Sequence, residues 1–423
     1  MKKIILVLLL LMHLTCSLAQ LSSQRLIELY NFSALTIEDG LLHNFINDIY
    51  KDKRGFLWLS TSNGLSRYDG YEFVHYNTST EHASLKSNFI IKVCEDNYNR
   101  LWIASESGLD ILDLITNKLV TLDFTNEVAT KLSHESTSHI YRDNKGNMWF
   151  ITGKNLYKID FNQKGEINST SVLFCDESAS EPITAISEIE NEIWIGFNND
   201  IAKVRQSNNK LVLLPALTEK IFDHNSRIHC LLQKDNEVWI GTNRGLYRYG
   251  LHNHSYNRYR YDENNPGSLS QSFITDLALT KENELIIATY KGLNFYDPMN
   301  ENFIRIVQSR DNQDDIINCN FINCLLVDEN IIWIGTEVGG LNKMIRRDLI
   351  LDNYVYSKDN QHSISDNPVN SIFEDDKGNI WAGTVEGGLN LKMKGSDKFI
   401  HYKHKSNDKS SLGHNSVSVI MQD

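Results

Sequence analysis

The sequence predicts an all-β fold, a β-propeller built from four-stranded blades, and three observations carry that prediction. A block close to "D-x-x-G-x-L-W-I-G-T-x-x-G-L-x-x-Y-D" recurs along almost the whole chain. It is anchored at Trp58, Trp102, Trp149, Trp194, Trp239, Trp333 and Trp381, with Ile286 in the one slot that lacks Trp, so the steps are 44, 47, 45, 45, 47, 47 and 48 residues. Within each unit the apolar residues alternate with period two, which excludes helical repeats. The runs are short and separated by Gly or Asn turns, as tight hairpins require. A single four-stranded unit cannot bury both faces of its sheet, whereas copies stacked radially bury each face against a neighbour.

In chain order, residues 1–19 read as a secretory signal: Lys2 and Lys3, an apolar stretch from Ile4, then Ser17-Leu18-Ala19 before Gln20. The stretch is too short to span a bilayer. Lipoprotein processing at Cys16 is the alternative, but Thr15 before it fits poorly, so soluble export is the expectation. Arg25–Leu35 stands where a fourth strand stands between units, so it is expected to pair with the last blade and close the ring. The first unit then reads as strands around Ile49, Phe56–Ser60, Leu65–Tyr68 and Phe73–Tyr76. Seven units, through Trp333, make a first propeller over 20–350. The Trp381 unit opens a second, incomplete one over 351–423, although a single ring of eight remains open at this level. The tail "HNSVSVIMQD" from His414 aligns with "HNFINDIYKD" from His43, which places it in the first strand of a ninth unit. An apolar strand ending there has unpaired edges, so the chain is expected to be a fragment or the product of an interrupted gene.

The hairpin between the first two strands comes in two lengths. Asp52–Gly55, Asp143–Gly146 and Asp375–Gly378 use a four-residue form in which Gly supplies the positive φ. Asp235-Asn236, Glu282-Asn283 and Glu329-Asn330 shorten it, with Asn expected in the left-handed conformation. The recurrent Trp is expected to pack between blades.

The chain carries a formal charge of −12, which becomes −14 once Lys2 and Lys3 leave with the signal. An acidic exported protein is a poor partner for nucleic acid or anionic membrane, so no direct nucleic acid contact is expected, and no membrane span. After cleavage Cys94, Cys175, Cys230, Cys319 and Cys324 remain. An odd, irregularly spaced set is not a disulfide framework, and free, mostly buried thiols are expected.

No catalytic site is expected: G-x-S-x-G, H-E-x-x-H, a Walker loop and C-x-x-C are all absent. No cofactor or metal is expected either. His252/His254 and His401/His404 have metal-compatible spacing but lie in polar segments without a third ligand. The acidic hairpins at Asp143 and Asp375 lack the later bidentate Glu of a calcium loop.

The blocks "GFLWLSTSNGLSRYDG" from Gly55, "NEVWIGTNRGLYRY" from Asn236 and "IIWIGTEVGGLNKM" from Ile331, with the opening "FSALTIEDGLLHNFINDIYKDKRGFLW" from Phe32, resemble the two-component regulator propeller repeat of bacterial hybrid two-component sensors. The units "MWFITGKNLYKID", "IWIGFNNDIAKV" and "LIIATYKGLNFYD" depart most. The resemblance covers about residues 25–423. It implies a periplasmic sensor region of two seven-bladed propellers, followed in the parent by an immunoglobulin-like domain, a membrane helix and a histidine kinase, and in the hybrids a receiver and a DNA-binding domain. It further implies an oligosaccharide ligand released from glycans, and a homodimer in the full-length parent.

In a propeller the loops that lead into the first strand and those joining the second and third lie on one face, near the central channel, and loops carry function more often than strands. Here they include His43-Asn44, Asn63, Asn88, Glu106, Arg227, Arg244, Tyr290 and Glu337. Arg227, Arg244 and Tyr290, with Glu106 and Glu337, are the candidate ligand contacts, because these types hydrogen-bond to or stack on sugars. Three function classes follow: a signal-input module, a secreted propeller enzyme acting on glycans, and a non-catalytic binding scaffold. The "D-x-x-G-x-x-W" turns loosely resemble Asp-box hairpins of sialidase-like hydrolases, but no arginine cluster with a paired acid and nucleophile accompanies them.

Overall fold

The computed structural model describes residues 26–422, apart from 82, 122–130, 133, 175–181, 208–209, 216, 218–220, 309–315, 348–353 and 397. The expected signal over 1–19, with Cys16, and the thiol of Cys175 lie outside the described residues. The chain divides into two compact units, Met1–Leu349 and Ile350–Asp423.

Among the described residues, strands of the first unit form seven four-stranded antiparallel sheets, each named here by its anchor. The Trp58 sheet is typical: Ile46–Lys51, Leu57–Thr61, Gly64–Tyr68 and Phe73–Tyr76, hydrogen-bonded in sequence order. Six sheets follow this plan. In the Trp333 sheet the strands Ile322–Asp328, Ile331–Thr336 and Leu341–Arg346 are completed by Tyr30–Leu35 from the start of the chain, in register Tyr30↔Arg346 to Leu35↔Leu341. The first strands of the seven sheets touch in cyclic order and return from the Trp333 sheet to the Trp58 sheet. This is the β-propeller expected from the repeat.

Each anchor packs on the next sheet. Trp58 lies with Ile90, Val93 and Leu101, Trp194 with Ile228 and Leu231, Ile286 with Ile322 and Leu325, and Trp333 with Ile46 and Ile49. Trp239 meets the Tyr296 ring of the next sheet edge-on at 4.8 Å. Trp58, Trp102 and Trp239 have no exposed surface, so burial of a large ring stabilises the ring of sheets at six of its seven anchors, Ile286 being the seventh. In the Trp194, Trp239 and Trp333 sheets a glycine two positions after the anchor permits this closeness: a Cβ on Gly335 would stand 2.4 Å from the Cys324 sulfur and 2.8 Å from Ile46 of the neighbouring sheet.

The hairpin Asp has a second task. Asp52 Oδ1 accepts from the Arg54 and Phe56 amides at 3.0 Å each, and Oδ2 accepts the Trp58 indole N–H at 2.9 Å. Asp143 and Asp375 repeat this for Trp149 and Trp381 at 2.8 and 2.9 Å. Asp96 does so for Trp102 at 2.9 Å, through a turn that uses Asn99 at φ 59° instead of Gly. The short turns lack such an Asp, and the indole N–H groups of Trp194, Trp239 and Trp333 are buried without an acceptor. There Lys203, Arg248 and Lys343, directly opposite on the third strand, lie 4.9, 5.8 and 5.1 Å from the indole rings.

One expectation is corrected. Glu282-Asn283 is not a short turn: the Thr280 amide donates to the Glu284 carbonyl and the Asn283 amide to the Thr280 carbonyl, both at 2.9 Å, which is the four-residue form with Asn283, at φ 64°, in the glycine position. In the two turns that are short, the left-handed residue is the acid rather than the expected Asn, Asp235 at φ 54° and Glu329 at φ 52°. The two-residue turn sets φ by position, and short polar side chains of either kind accept it.

Among the described residues the second unit contains one four-stranded sheet of the same plan: Val369–Glu374, Ile380–Thr384, Leu389–Lys392 and Phe399–Tyr402. Its small core is Ile364, Ala382 and Phe399, with Tyr354 packed against it.

Candidate functional site

In five sheets of the first unit the pairing of the first strand slips by one residue just after its leading Ile: at Asn47, Ile91, His229, Thr275 and Asn323. A bulge of this kind re-aims a side chain that would otherwise alternate away. Adjacent residues therefore line the same space, and Asn47 with Asp48, His229 with Cys230, Thr275 with Asp276, and Asn323 with Cys324 all border a central cavity of about 310 Å³. Lys92, His139, Tyr141 and Ser187 complete its polar wall. At roughly 30 Å³ per water, the volume suits a small polar molecule.

The lining is stitched between sheets. Asn47 Nδ2 donates to the Ile90 carbonyl at 2.6 Å, and Asn323 Nδ2 donates to the Ile46 carbonyl at 3.0 Å. Asp276 accepts from the Leu325 amide of the next sheet and from Leu277, both at 2.8 Å. Lys92 Nζ donates to Asp48 Oδ1 at 3.0 Å. Asp48 beside it holds the ammonium well above its ordinary pKa, while burial raises the Asp48 carboxyl. Burial likewise pushes Asp276 up to about 6, opposed by the charge of Lys92. Burial first, then nearby cations including Arg227, lower His139 to about 3 and His229 to about 4. At neutral pH the cavity thus holds one ion pair, one carboxylate and two neutral imidazoles. His229 Nε2 and Thr275 Oγ1 are buried with no hydrogen-bond partner.

At the mouth, a rigid turn joins the second and third strands. Thr242 Oγ1 donates to the Gly245 carbonyl at 2.8 Å and accepts from the Arg244 amide at 3.0 Å, and Thr289 does the same with Gly292 and Lys291. Gly245 and Gly292 have φ of 138° and 94°, and a Cβ on either would strike a carbonyl at 2.6 or 2.4 Å. The turn is bonded to the residue that leads into the first strand of its own sheet: Glu106 N to Phe89 O at 3.4 Å, Asn243 N to Arg227 O at 3.2 Å, and Glu337 N to Phe321 O at 3.0 Å. The two loop sets therefore form one collar.

Part of that collar is aromatic. His229, Phe273 and Tyr290 stand in a row with ring centroids 4.8 and 4.7 Å apart, the latter pair stacked at 17°, and Phe321 follows at 6.3 Å, tilted by 57° and 47 % exposed. His229 belongs both to this row and to the cavity wall.

The sequence-predicted residues are distributed as follows. Tyr290 is in the aromatic row, and Glu337 is close enough that its charge, after burial, raises the Tyr290 hydroxyl pKa. Arg227 is exposed at the same arc and acts electrostatically on both histidines. Arg244 is exposed in its turn, with Nε donating to the Asn225 carbonyl at 3.3 Å. Glu106 is exposed on the Trp102 sheet, outside this arc. The cavity residues Asp48, Lys92, His139, His229 and Asp276 went unpredicted. For Asp48, Lys92 and Asp276 the available signal was a charged residue two positions after the leading Ile, inside an otherwise apolar strand; His139 and His229 carried no such mark.

Cys94, Cys230, Cys319 and Cys324 are free thiols, and Cys230 and Cys324 border the cavity. His254 is bonded to the Tyr249 hydroxyl, His401 to the Ser363 carbonyl and His404 to the Leu412 carbonyl. Among the described residues no group of three His, Cys, Asp or Glu is placed to hold a metal ion, and no helix is long and apolar enough to cross a membrane.

A model of the two-component regulator propeller family matches residues 40–63, 84–107 and 363–386. No curated protein matches the chain. Among solved structures the chain is similar to the extracellular domain of a hybrid two-component system from B. thetaiotaomicron, with 24 % identity over 88 % of this chain and 49 % of that one, TM-score 0.60. A second such domain from the same organism gives 19 % identity over 91 % and 49 %, TM-score 0.60. Virginiamycin B lyase from Staphylococcus aureus is similar at 12 % identity over 75 % and 98 %, TM-score 0.52. The chain spans about half the length of the two extracellular domains it matches. Three segments of the chain thus match two-component regulator propeller repeats, and the chain is folded as a β-propeller.

Proposed function

We propose that this chain is a signal-input region of a hybrid two-component sensor, exported to the periplasm, that binds oligosaccharides derived from glycans and regulates a histidine kinase and a transcriptional output. Residues 20–350 form its first seven-bladed propeller, and 351–423 belong to a second. The single observation that carries the reading is the pairing of regulator-propeller repeats with a polar, collared cavity at the ring centre. The likeness to extracellular domains of hybrid two-component systems supports it. Ligand binding would shift the arrangement of paired propellers across a homodimer, and the kinase would respond to that shift.

The enzyme reading has one observation in its favour, a lyase on the same fold. Against it, Asp48 and Lys92 are engaged with one another, and the hairpin Asp residues are occupied by indole and turn amides. The test is calorimetric titration of the purified exported chain with neutral and acidic oligosaccharides, with product analysis on the same samples. Saturable binding without turnover is expected; turnover would replace the sensor reading with the enzymatic one.

A further inference from the structure

We propose that the aromatic arc His229–Phe273–Tyr290–Phe321 and the cavity beneath it form one continuous saccharide site that takes an oligosaccharide by its end: the terminal unit enters the cavity and the next unit lies against Tyr290 and Phe321. This rests on the glycan-binding reading above and goes beyond it by naming the subsite and the part of the chain that is recognised.

Three observations carry it. The arc is confined to three consecutive sheets, those of Trp239, Ile286 and Trp333, and ends in a half-exposed ring, Phe321, tilted away from its neighbour rather than covered by it. A tilted, open aromatic face offers a surface for the C–H face of a sugar, and aromatic side chains combine such apolar contact with a polar tip. His229 belongs to both parts, so the shelf and the polar cavity share a side chain.

The cavity's chemistry selects hydroxyl groups over other ligands. Its uncharged donors and acceptors, Asn47, Ser187, His229, Thr275 and Asn323, can each both give and accept hydrogen bonds, as sugar hydroxyls do. Two of their polar atoms, His229 Nε2 and Thr275 Oγ1, are buried and unpartnered, and such atoms gain most from a ligand that satisfies them. The Lys92 ammonium is already paired with Asp48, and Arg227, whose charge reaches both histidines, is exposed at the mouth, so the cavity interior itself offers an anion no unpaired cation. A cavity of about 310 Å³ ringed by first strands has room for about one sugar unit.

The experiment is titration of the exported chain with xylo-, manno-, arabino- and gluco-oligosaccharides of two to six units and with the parent polymers, followed by fluorescence and calorimetry. Phe321→Ala and Tyr290→Ala are each expected to weaken binding roughly two- to tenfold, Tyr290→Phe to retain it, and Thr275→Val to weaken it severalfold. Tyr71→Ala, at a 93 % exposed ring elsewhere on the ring of sheets, is expected to change nothing. Affinity per chain end should be equal for hexasaccharide and polymer. Circular dichroism and melting of each variant verify that it is folded, and Tyr290→Phe keeps the test informative if an alanine variant is not. Binding that ignores all the arc and cavity variants overturns the subsite while the sensor reading stands. Affinity that grows with the number of internal units overturns end-on recognition. Tight binding of a nucleoside or aromatic amine in place of sugars overturns the ligand class, and no saccharide binding at all removes this inference together with the sensor reading.

Discussion

The Trp381 sheet and the sheets of the ring are written in the same repeat and share the same internal bonds, yet they differ sharply in burial. Asp375 holds the turn amides and the Trp381 indole as Asp52 and Asp143 hold theirs, and Thr384 closes its turn on Gly388 as Thr242 closes on Gly245. In the ring, however, Ile49 and Leu325 are 5 % and 9 % exposed, whereas Ile372 is 73 % exposed in the second unit, where Ile400 and Tyr402 are also open. The hairpin bonds are local and survive alone. The burial is communal, because an anchor's cavity is made by the next sheet.

The widest test of that contrast is to remove one anchor from each region. Trp239→Ala should cost about 3–5 kcal/mol, because it empties a space shared with Leu277 and Tyr296. Trp381→Ala should cost roughly half as much or less, since its ring is only partly buried. Urea unfolding of both variants checks the ratio, and equal losses would mean that burial in the second unit is as complete as in the ring.

The hairpin acid gives a smaller, sharper test. Asp143→Ala strands the Trp149 indole N–H and two turn amides, for about 1–3 kcal/mol. Asp235→Asn, in a short turn with no indole to hold and at a φ of 54° that Asn accepts, should stay within about 0.5 kcal/mol. Thermal melts of the pair decide whether the Asp acts through the indole or only through the turn.

Acid should act on the two regions in different windows. His139 and His229 have folded pKa values near 3 and 4, below the ordinary 6.5. The folded ring therefore binds fewer protons than the unfolded chain, and stability present above pH 6.5 is lost as pH falls through about 4. Asp276 works in the opposite sense: with its pKa raised to about 6, the stability it contributes below pH 4 is lost as pH rises through 6. Replacing both histidines by Gln should flatten the loss between pH 6.5 and 4. In the second unit Asp375, lowered to about 2 mainly by the Trp381 indole N–H, adds stability present above pH 3.8 and lost only as pH falls towards 2. Melting curves across pH 2–8 separate the two. Among the losses expected, the smallest is that of Lys343→Ala, which removes a cation from the Trp333 ring for about 0.5–1 kcal/mol, read by urea unfolding against the near-neutral Asp235 variant.

The repeat made the fold legible because an anchor every 44 to 48 residues, Trp in every slot but that of Ile286, leaves few ways to stack. The closing strand was legible too, as a strand left over before the first unit. The cavity was not. Strict alternation sends Asn47 and Asp48 to opposite faces, and only the bulge, a property of pairing rather than of either residue, turns both to the channel. Asp96 escaped notice because its turn uses Asn99 in place of the expected Gly. Of the predicted mouth residues, Tyr290, Glu337 and Arg227 fall on one arc, while Glu106 sits on a different sheet, since loop type alone fixes height above the ring and not position around it.

The strand that closes the ring also settles how the first unit would carry a pull. Tyr30 and Arg346 are paired at the same end of an antiparallel ladder, so tension entering before residue 30 and leaving after 346 crosses six residue pairs and bypasses the other sheets. Loaded from that end, the ladder would peel one pair at a time rather than resist in parallel. Arg347 guards the first step: its amide donates to the Leu29 carbonyl at 2.7 Å and its Nε to the Tyr30 carbonyl at 3.1 Å. The ring is thus a bead on a line of force, with its clasp at the point where the line enters.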